Sequence, residues 1–151
     1  MKSIQDLLDA KGDSPVHCCQ PGDSVFDAVT KMVDLRVGAL LVKEGDAVKG
    51  IITERDYLRF ITAKGKTAQD TPVSDLMTSK VIYVTPPTRI NEVMAIMTSA
   101  RIRHMPVMEG EQLLGIVSIG DIVKQVTSDQ QVHIRTLEDY INDPYPGPKS
   151  S

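Results

Sequence analysis

Apolar residues at Ile4, Leu7 and Leu8 recur at helical spacing and stop at Lys11-Gly12, which predicts a short amphipathic helix over Ser3 to Ala10. A second stripe, Val25, Ala28, Val29 and Met32, falls on one face of a helix from Ser24 to Leu35. A third, Ile90, Val93, Met94 and Met97, does the same from Thr88 to Ala100. Short apolar runs between turn residues predict strands at Val16 to Cys19, Gly38 to Lys43 and Val48 to Ile52, the last two joined by a tight hairpin at Glu44-Gly45-Asp46. The same series returns at Val81 to Val84, Arg103 to Met108 and Leu113 to Val117, with a hairpin at Glu109-Gly110-Glu111. A further helix starts at Thr53 in the first series and at Ser118 in the second. The segment Val73 to Met77 precedes the second series as Ser3 to Ala10 precedes the first. The order is β-α-β-β-α, twice, an α/β (α+β) fold of two pseudo-symmetric repeats packed as one module.

The repetition is literal. Gly50-Ile51-Ile52-Thr53-Glu54-Arg55-Asp56 reappears as Gly115-Ile116-Val117-Ser118-Ile119-Gly120-Asp121, an offset of 65 that also pairs Val16 with Val81, Pro21 with Pro86, Met32 with Met97 and Glu44 with Glu109. Internal repeats bury a face against their copy, so function is sought in the cleft between them. Repeat one, with its leading helix, is expected over 3–63, a polar linker over 64–72 and repeat two over 73–128. Val132, Leu137 and Ile141 predict a C-terminal helix over 129–141, and the Pro-rich end, 142–151, is expected to be disordered.

The 151 residues suffice for one core shared by two half-domains. With 41% hydrophobic and 25% charged residues and no apolar run near the roughly 20 needed to cross a bilayer, no membrane association is expected. A net charge of −3 and a pI of about 5.6 argue against nucleic acid as a partner. Cys18 and Cys19 are adjacent in a strand and point to opposite faces, so they should not pair, which fits a reducing compartment, cytoplasm or organelle matrix. The first residues, Met1-Lys2-Ser3-Ile4, lack the apolar block of a secretion signal. His17-Cys18-Cys19 offers soft ligands, but consecutive strand positions cannot converge on one ion, so no metal site is expected.

The repeated Gly-x-x-Thr/Ser-x-x-Asp lies where a strand passes into a helix. Its hydroxyl and carboxylate form a capping box, which satisfies orphan N–H groups. The same position is an anion-accepting edge, where an Asp can accept two hydrogen bonds from a ribose diol. Together with Arg103-His104-Met105-Pro106-Val107, the duplicated pattern resembles a tandem pair of cystathionine-β-synthase (CBS) domains, the Bateman module, over residues 3 to 128. The resemblance implies a regulatory module that binds an adenosine-containing ligand between the repeats: AMP first, with ATP, ADP, NAD(H) or S-adenosylmethionine as alternatives. No catalytic cofactor is implied.

Carried over by resemblance, Asp56 and Asp121 are the ribose-binding aspartates, with Thr53 and Ser118 the hydroxyls beside ribose or phosphate. Val37-Gly38-Ala39 and Ile102-Arg103-His104 form the wall for adenine, continuing into Met105 and Pro106, and Thr85 and Gln20 touch the base edge. Arg103 and His104 resemble a phosphate-contacting pair, since a guanidinium can hold phosphate bidentately. Arg55 is a second phosphate candidate. The family habit of pairing through repeat helices implies a homodimer, acting on a separate, unidentified protein partner. Two rivals remain open: a redox-linked protein acting on a thioredoxin-like partner through the vicinal cysteines, and a nucleotide-hydrolysing enzyme using His104, a cysteine and Asp121. Neither a Walker loop nor a Gly-x-Ser-x-Gly elbow is present for the latter.

Overall fold

The structure is a computed structural model that describes residues 2–12, 14–63, 65–129, 141–142 and 146–148. The helix expected over 129–141 and the tail over 142–151 fall for the most part outside these residues. The elements run α1 (Ile4–Lys11), β1 (Cys18–Cys19), α2 (Val25–Leu35), β2 (Ala39–Glu44), β3 (Ala47–Thr53), α3 (Glu54–Phe60), α4 (Val73–Leu76), α5 (Ile90–Ala100), β4 (His104–Glu109), β5 (Gln112–Ser118) and α6 (Ile119–Asp129).

The offset of 65 persists in the finest details of the backbone. Each hairpin carries a register shift at the same place, Val42/Lys43 and Val107/Met108. Helices α2 and α5 both end on an arginine in the left-handed region, Arg36 at φ 57° and Arg101 at φ 56°. One element departs from the expectation. In repeat one, β1 pairs parallel to β2, and the Leu41 N–H donates to the His17 carbonyl at 3.2 Å. The counterpart of Leu41 is Pro106, which has no N–H to give. The strand expected at Val81 to Val84 is therefore reduced to a single bridge, Val84 to Val107.

The leading helices are exchanged. Although α1 precedes repeat one in the chain, it docks on repeat two: Ile4 N–H donates to Thr88 O at 2.8 Å and Gln5 N–H to Pro86 O at 3.0 Å. Ile4 and Leu7 are buried in one core with Val84, Ile90, Val93, Met97, Met105, Val107, Val117 and Ile122. Conversely α4, which precedes repeat two, docks on repeat one, with Val73 N–H on Asp23 O at 2.8 Å and Val73 buried beside Cys19, Ala28, Met32, Leu40, Val42 and Ile52. A third cluster joins the two sheets, with Ala39, Leu41 and Ile51 packed against Leu113 and Ile116.

This exchange explains the glycine that opens the repeated motif. A Cβ on Gly50 would lie 2.8 Å from the Thr78 carbonyl oxygen and 2.8 Å from Met77 Sδ, because the end of α4 crosses β3 there. Ile51 and Thr78 exchange backbone hydrogen bonds of 3.0 and 2.9 Å at that crossing. A Cβ on Gly115 would meet Leu8 Cδ2, from α1, at 3.0 Å.

Candidate functional site

Both strand-to-helix junctions form the cap that the sequence predicts, yet their carboxylates end in different surroundings. In copy one, Thr53 Oγ1 accepts from Asp56 N–H at 3.2 Å, and Asp56 Oδ2 accepts from Thr53 N–H at 2.9 Å and from its hydroxyl at 3.1 Å. Asp56 Oδ1 accepts from the Thr78 hydroxyl at 3.3 Å, and the residue is only 6% exposed. Both oxygens accept hydrogen bonds from within the repeat-one side of the fold, so the group closes the start of α3.

In copy two, Ser118 Oγ accepts from Asp121 N–H at 3.1 Å and Asp121 Oδ2 accepts from Ser118 N–H at 2.9 Å. The second donor to Oδ2 is Lys11 Nζ, at 2.9 Å, which also donates to the Ile116 carbonyl at 2.9 Å. The Lys11 and Asp121 side chains retain 25% and 24% exposure. Burial by itself would push the Asp121 carboxyl up, but the hydrogen bonds from Lys11 and the Ser118 backbone outweigh it and hold the group below the ordinary 3.8. Asp121 is thus an ionised, partly exposed carboxylate.

His104 opens β4 and faces repeat one. A Cβ on Gly38 would sit 3.1 Å from His104 Cε1 and 2.9 Å from Glu54 Oε1, so the absent side chain at Gly38 is what admits the imidazole. Burial lowers the His104 pKa below 6.5, helped by Arg103 and opposed by Glu54 and Asp121. Burial thus disfavours the charged form of the imidazole, which can still donate an N–H. It sits at the boundary of the repeats, in the field of Glu54 from one and Asp121 from the other.

The remaining expected site residues divide by burial. Arg103 is exposed, and its carbonyl accepts from Ile119 N–H at 2.8 Å, as Gly38 O accepts from Glu54 N–H at 3.1 Å. Arg55 is exposed, and its Nη1 donates to the Arg101 carbonyl at 2.9 Å, tying α3 to the end of α5 with the rest of the guanidinium open to solvent. Met105 at 0% and Ala39 at 5% exposure are core residues, and Pro106 is also buried, so none presents its side chain to a ligand. Val37 and Ile102 are half-buried against the cores of their own repeats. Thr85 and Gln20 are exposed in local turns, Thr85 N–H on Thr88 Oγ1 at 3.4 Å and Gln20 N–H on Asp23 Oδ2 at 2.8 Å.

Sequence reasoning missed Lys11, Glu54 and Thr78. Lys11 reads locally as the basic residue of a last helical turn, and nothing in the spacing points to a carboxylate 110 positions away. An open concavity of about 560 Å³ lies between α2 and α3, lined by Val29, Val33, Tyr57 and Leu58 and reaching Gly38 and Glu54 at its edge. Neither aspartate lines it. Cys19 packs in the core of repeat one and Cys18 against the inter-repeat cluster, on opposite faces of β1 as expected. Burial pushes the Cys19 thiol up to about 11. Among the described residues no cluster could hold a metal ion, and no helix is long and apolar enough to cross a membrane.

The CBS domain family profile matches residues 4–63 and again 73–128. The CBS domain-containing protein CBSX3, mitochondrial, of Arabidopsis thaliana is 42% identical over 151 residues, covering 95% of this chain and 73% of that protein. Among solved structures, a protein with CBS domains from Burkholderia ambifaria MC40-6 is 43% identical with a TM-score of 0.83, covering 88% of this chain and 99% of that one. The CBS domain pair of protein MJ0100, solved in complex with 5′-methylthioadenosine and S-adenosyl-L-methionine, shares the fold at 21% identity and a TM-score of 0.73, over 85% of this chain and 98% of that one. By its duplicated motif, its interlocked β-α-β-β-α halves and these matches, the chain belongs to the CBS domain family and carries the domain twice.

Proposed function

We propose that this CBS pair is a regulatory module that binds an adenosine-containing small molecule at the Asp121 junction, with no catalysis of its own, and signals to a separate protein or through its own dimer. The observation that carries this reading is the inequality of the two aspartates. Asp56 is sealed at 6% exposure with both oxygens hydrogen-bonded, whereas the Asp121 side chain is 24% exposed and paired with Lys11. One ligand per chain is expected, with Asp121 and Ser118 at the ribose and Arg103, the exposed base of the wall, at a phosphate. A single guanidinium suits a single phosphate, which favours AMP over ADP, ATP, NAD(H) or S-adenosylmethionine. The adenosyl ligands of the MJ0100 pair support the ligand class.

The homodimer rests on a separate feature. Val33 and Leu58 on α2 and α3, with Ile61 just beyond α3, are 70%, 61% and 57% exposed beside the concavity, and α5 and α6 leave Met94 and Val123 40% and 52% exposed. A stripe repeated on both halves suits a second copy of the same chain. Sedimentation that finds only monomer at micromolar protein would remove this part of the reading.

Calorimetric titration with adenosine, AMP, ATP, NAD(H) and S-adenosylmethionine tests the ligand. Asp121→Ala should weaken every ligand that binds, Arg103→Ala only the phosphorylated ones, by about tenfold or more for a lost charge-assisted bond. Unchanged affinity in Asp121→Ala sinks the assignment.

A further inference from the structure

Lys11 ends the leading helix of repeat one, yet it holds the repeat-two carboxylate that the proposed function assigns to ribose. Its Nζ lies 2.9 Å from Asp121 Oδ2 and 2.9 Å from Ile116 O. Oδ2 also accepts from Ser118 N–H, so both of its acceptor positions are filled. A diol that engages both carboxylate oxygens must take the position of the lysine. Copy one offers no such exchange, because its donor at Oδ1 is a neutral hydroxyl, Thr78, on a sealed carboxylate.

We propose that Lys11 is an internal competitor for the Asp121 site: the ligand's ribose hydroxyls displace its ammonium from Oδ2, and the release loosens the C-terminal turn of α1 from repeat two. The inference rests on the adenosine-binding reading of the site. Lys11 thereby sets the affinity, and α1 becomes the element through which occupancy leaves the site. The remainder of α1 stays docked, because Ile4 and Leu7 are buried at 0% and 1% exposure independently of the ion pair.

Calorimetry with adenosine, which carries no phosphate to attract a lysine, tests this on the full chain, comparing the parent protein with Lys11→Met, Lys11→Gln and Asp121→Ala. Removing the competing ammonium should tighten adenosine about fivefold, the size expected for a partly exposed ion pair. A merely structural lysine would weaken binding or leave it unchanged on removal. Hydrogen exchange supplies the second readout: adenosine should speed exchange of the amides at residues 9–12 in the parent protein and leave it unchanged in Lys11→Met. Weaker or equal binding in both lysine variants, with binding lost in Asp121→Ala, overturns the competitor and leaves the ligand reading standing. No binding of adenosine, AMP, ATP or S-adenosylmethionine to any of the four proteins overturns both.

Discussion

Truncating Leu7 probes the exchange of leading helices directly. Leu7 is 1% exposed and packs among the repeat-two residues Ile90, Val93, Met97 and Ile122, although its nearest sequence neighbours belong to repeat one. Leu7→Ala removes a buried branched side chain from a core built largely by another repeat, and such truncations cost about 2–5 kcal/mol. A fall of about 3 kcal/mol is a large share of the roughly 5–15 kcal/mol that stabilises a domain. It corresponds to a drop in Tm of about 6–12 °C for a chain of this size. Urea unfolding followed by circular dichroism reads the total, and hydrogen exchange resolved by peptide reads its location. Protection should fall first in α5, β4 and β5, with α2, β2 and β3 following. Val73→Ala should reverse the pattern, since Val73 lies at 0% exposure in the core of repeat one. Loss of protection confined to residues 18–60 in Leu7→Ala would refute the exchanged packing, as would a change below about 1 kcal/mol.

The two motif glycines should differ in tolerance. Gly50→Ala drives a methyl to 2.8 Å from the Thr78 backbone and should cost about 1–3 kcal/mol, whereas Gly115→Ala meets only the movable end of Leu8 at 3.0 Å and should cost less, both read from urea midpoints. His104 adds a pH dependence: its folded pKa lies below 6.5, so stability is complete above that pH and declines as pH falls through the folded value. His104→Gln should flatten the stability profile below pH 6.5, and an unchanged profile would show that Gly38 and Glu54 do not confine the ring. Pro106→Leu should supply the missing N–H to the Ile82 carbonyl, seen as a slowly exchanging amide at 106. Net stability should move by less than about 1 kcal/mol, because the added hydrogen bond is offset by a more flexible unfolded chain.

The helices and hairpins were legible because each is encoded by neighbours within a few residues. The capping boxes at Thr53 and Ser118, the stripes of α2 and α5 and the hairpin glycines all act locally, and the structure places them where the spacing does. The site was less legible. Asp56 and Asp121 are the same residue type and both have a hydroxyl cap, Thr53 or Ser118, so the sequence alone treats them as equal. Their difference arises from third parties, Thr78 in one case and Lys11 in the other. His104 likewise reads as a charge beside Arg103 until Gly38, 66 positions earlier, is seen to receive it.

By itself the sequence determined that one unit is written twice, that each unit is β-α-β-β-α, and that the two strand-to-helix junctions present a capped carboxylate. Only the tertiary structure decided which leading helix completes which core, and therefore which carboxylate is sealed and which is held by a lysine. The physical reason is range. Periodicity and capping are set by contacts within a turn or two of the chain, whereas the Lys11–Asp121 pair and the burial of Asp56 exist only once distant segments pack.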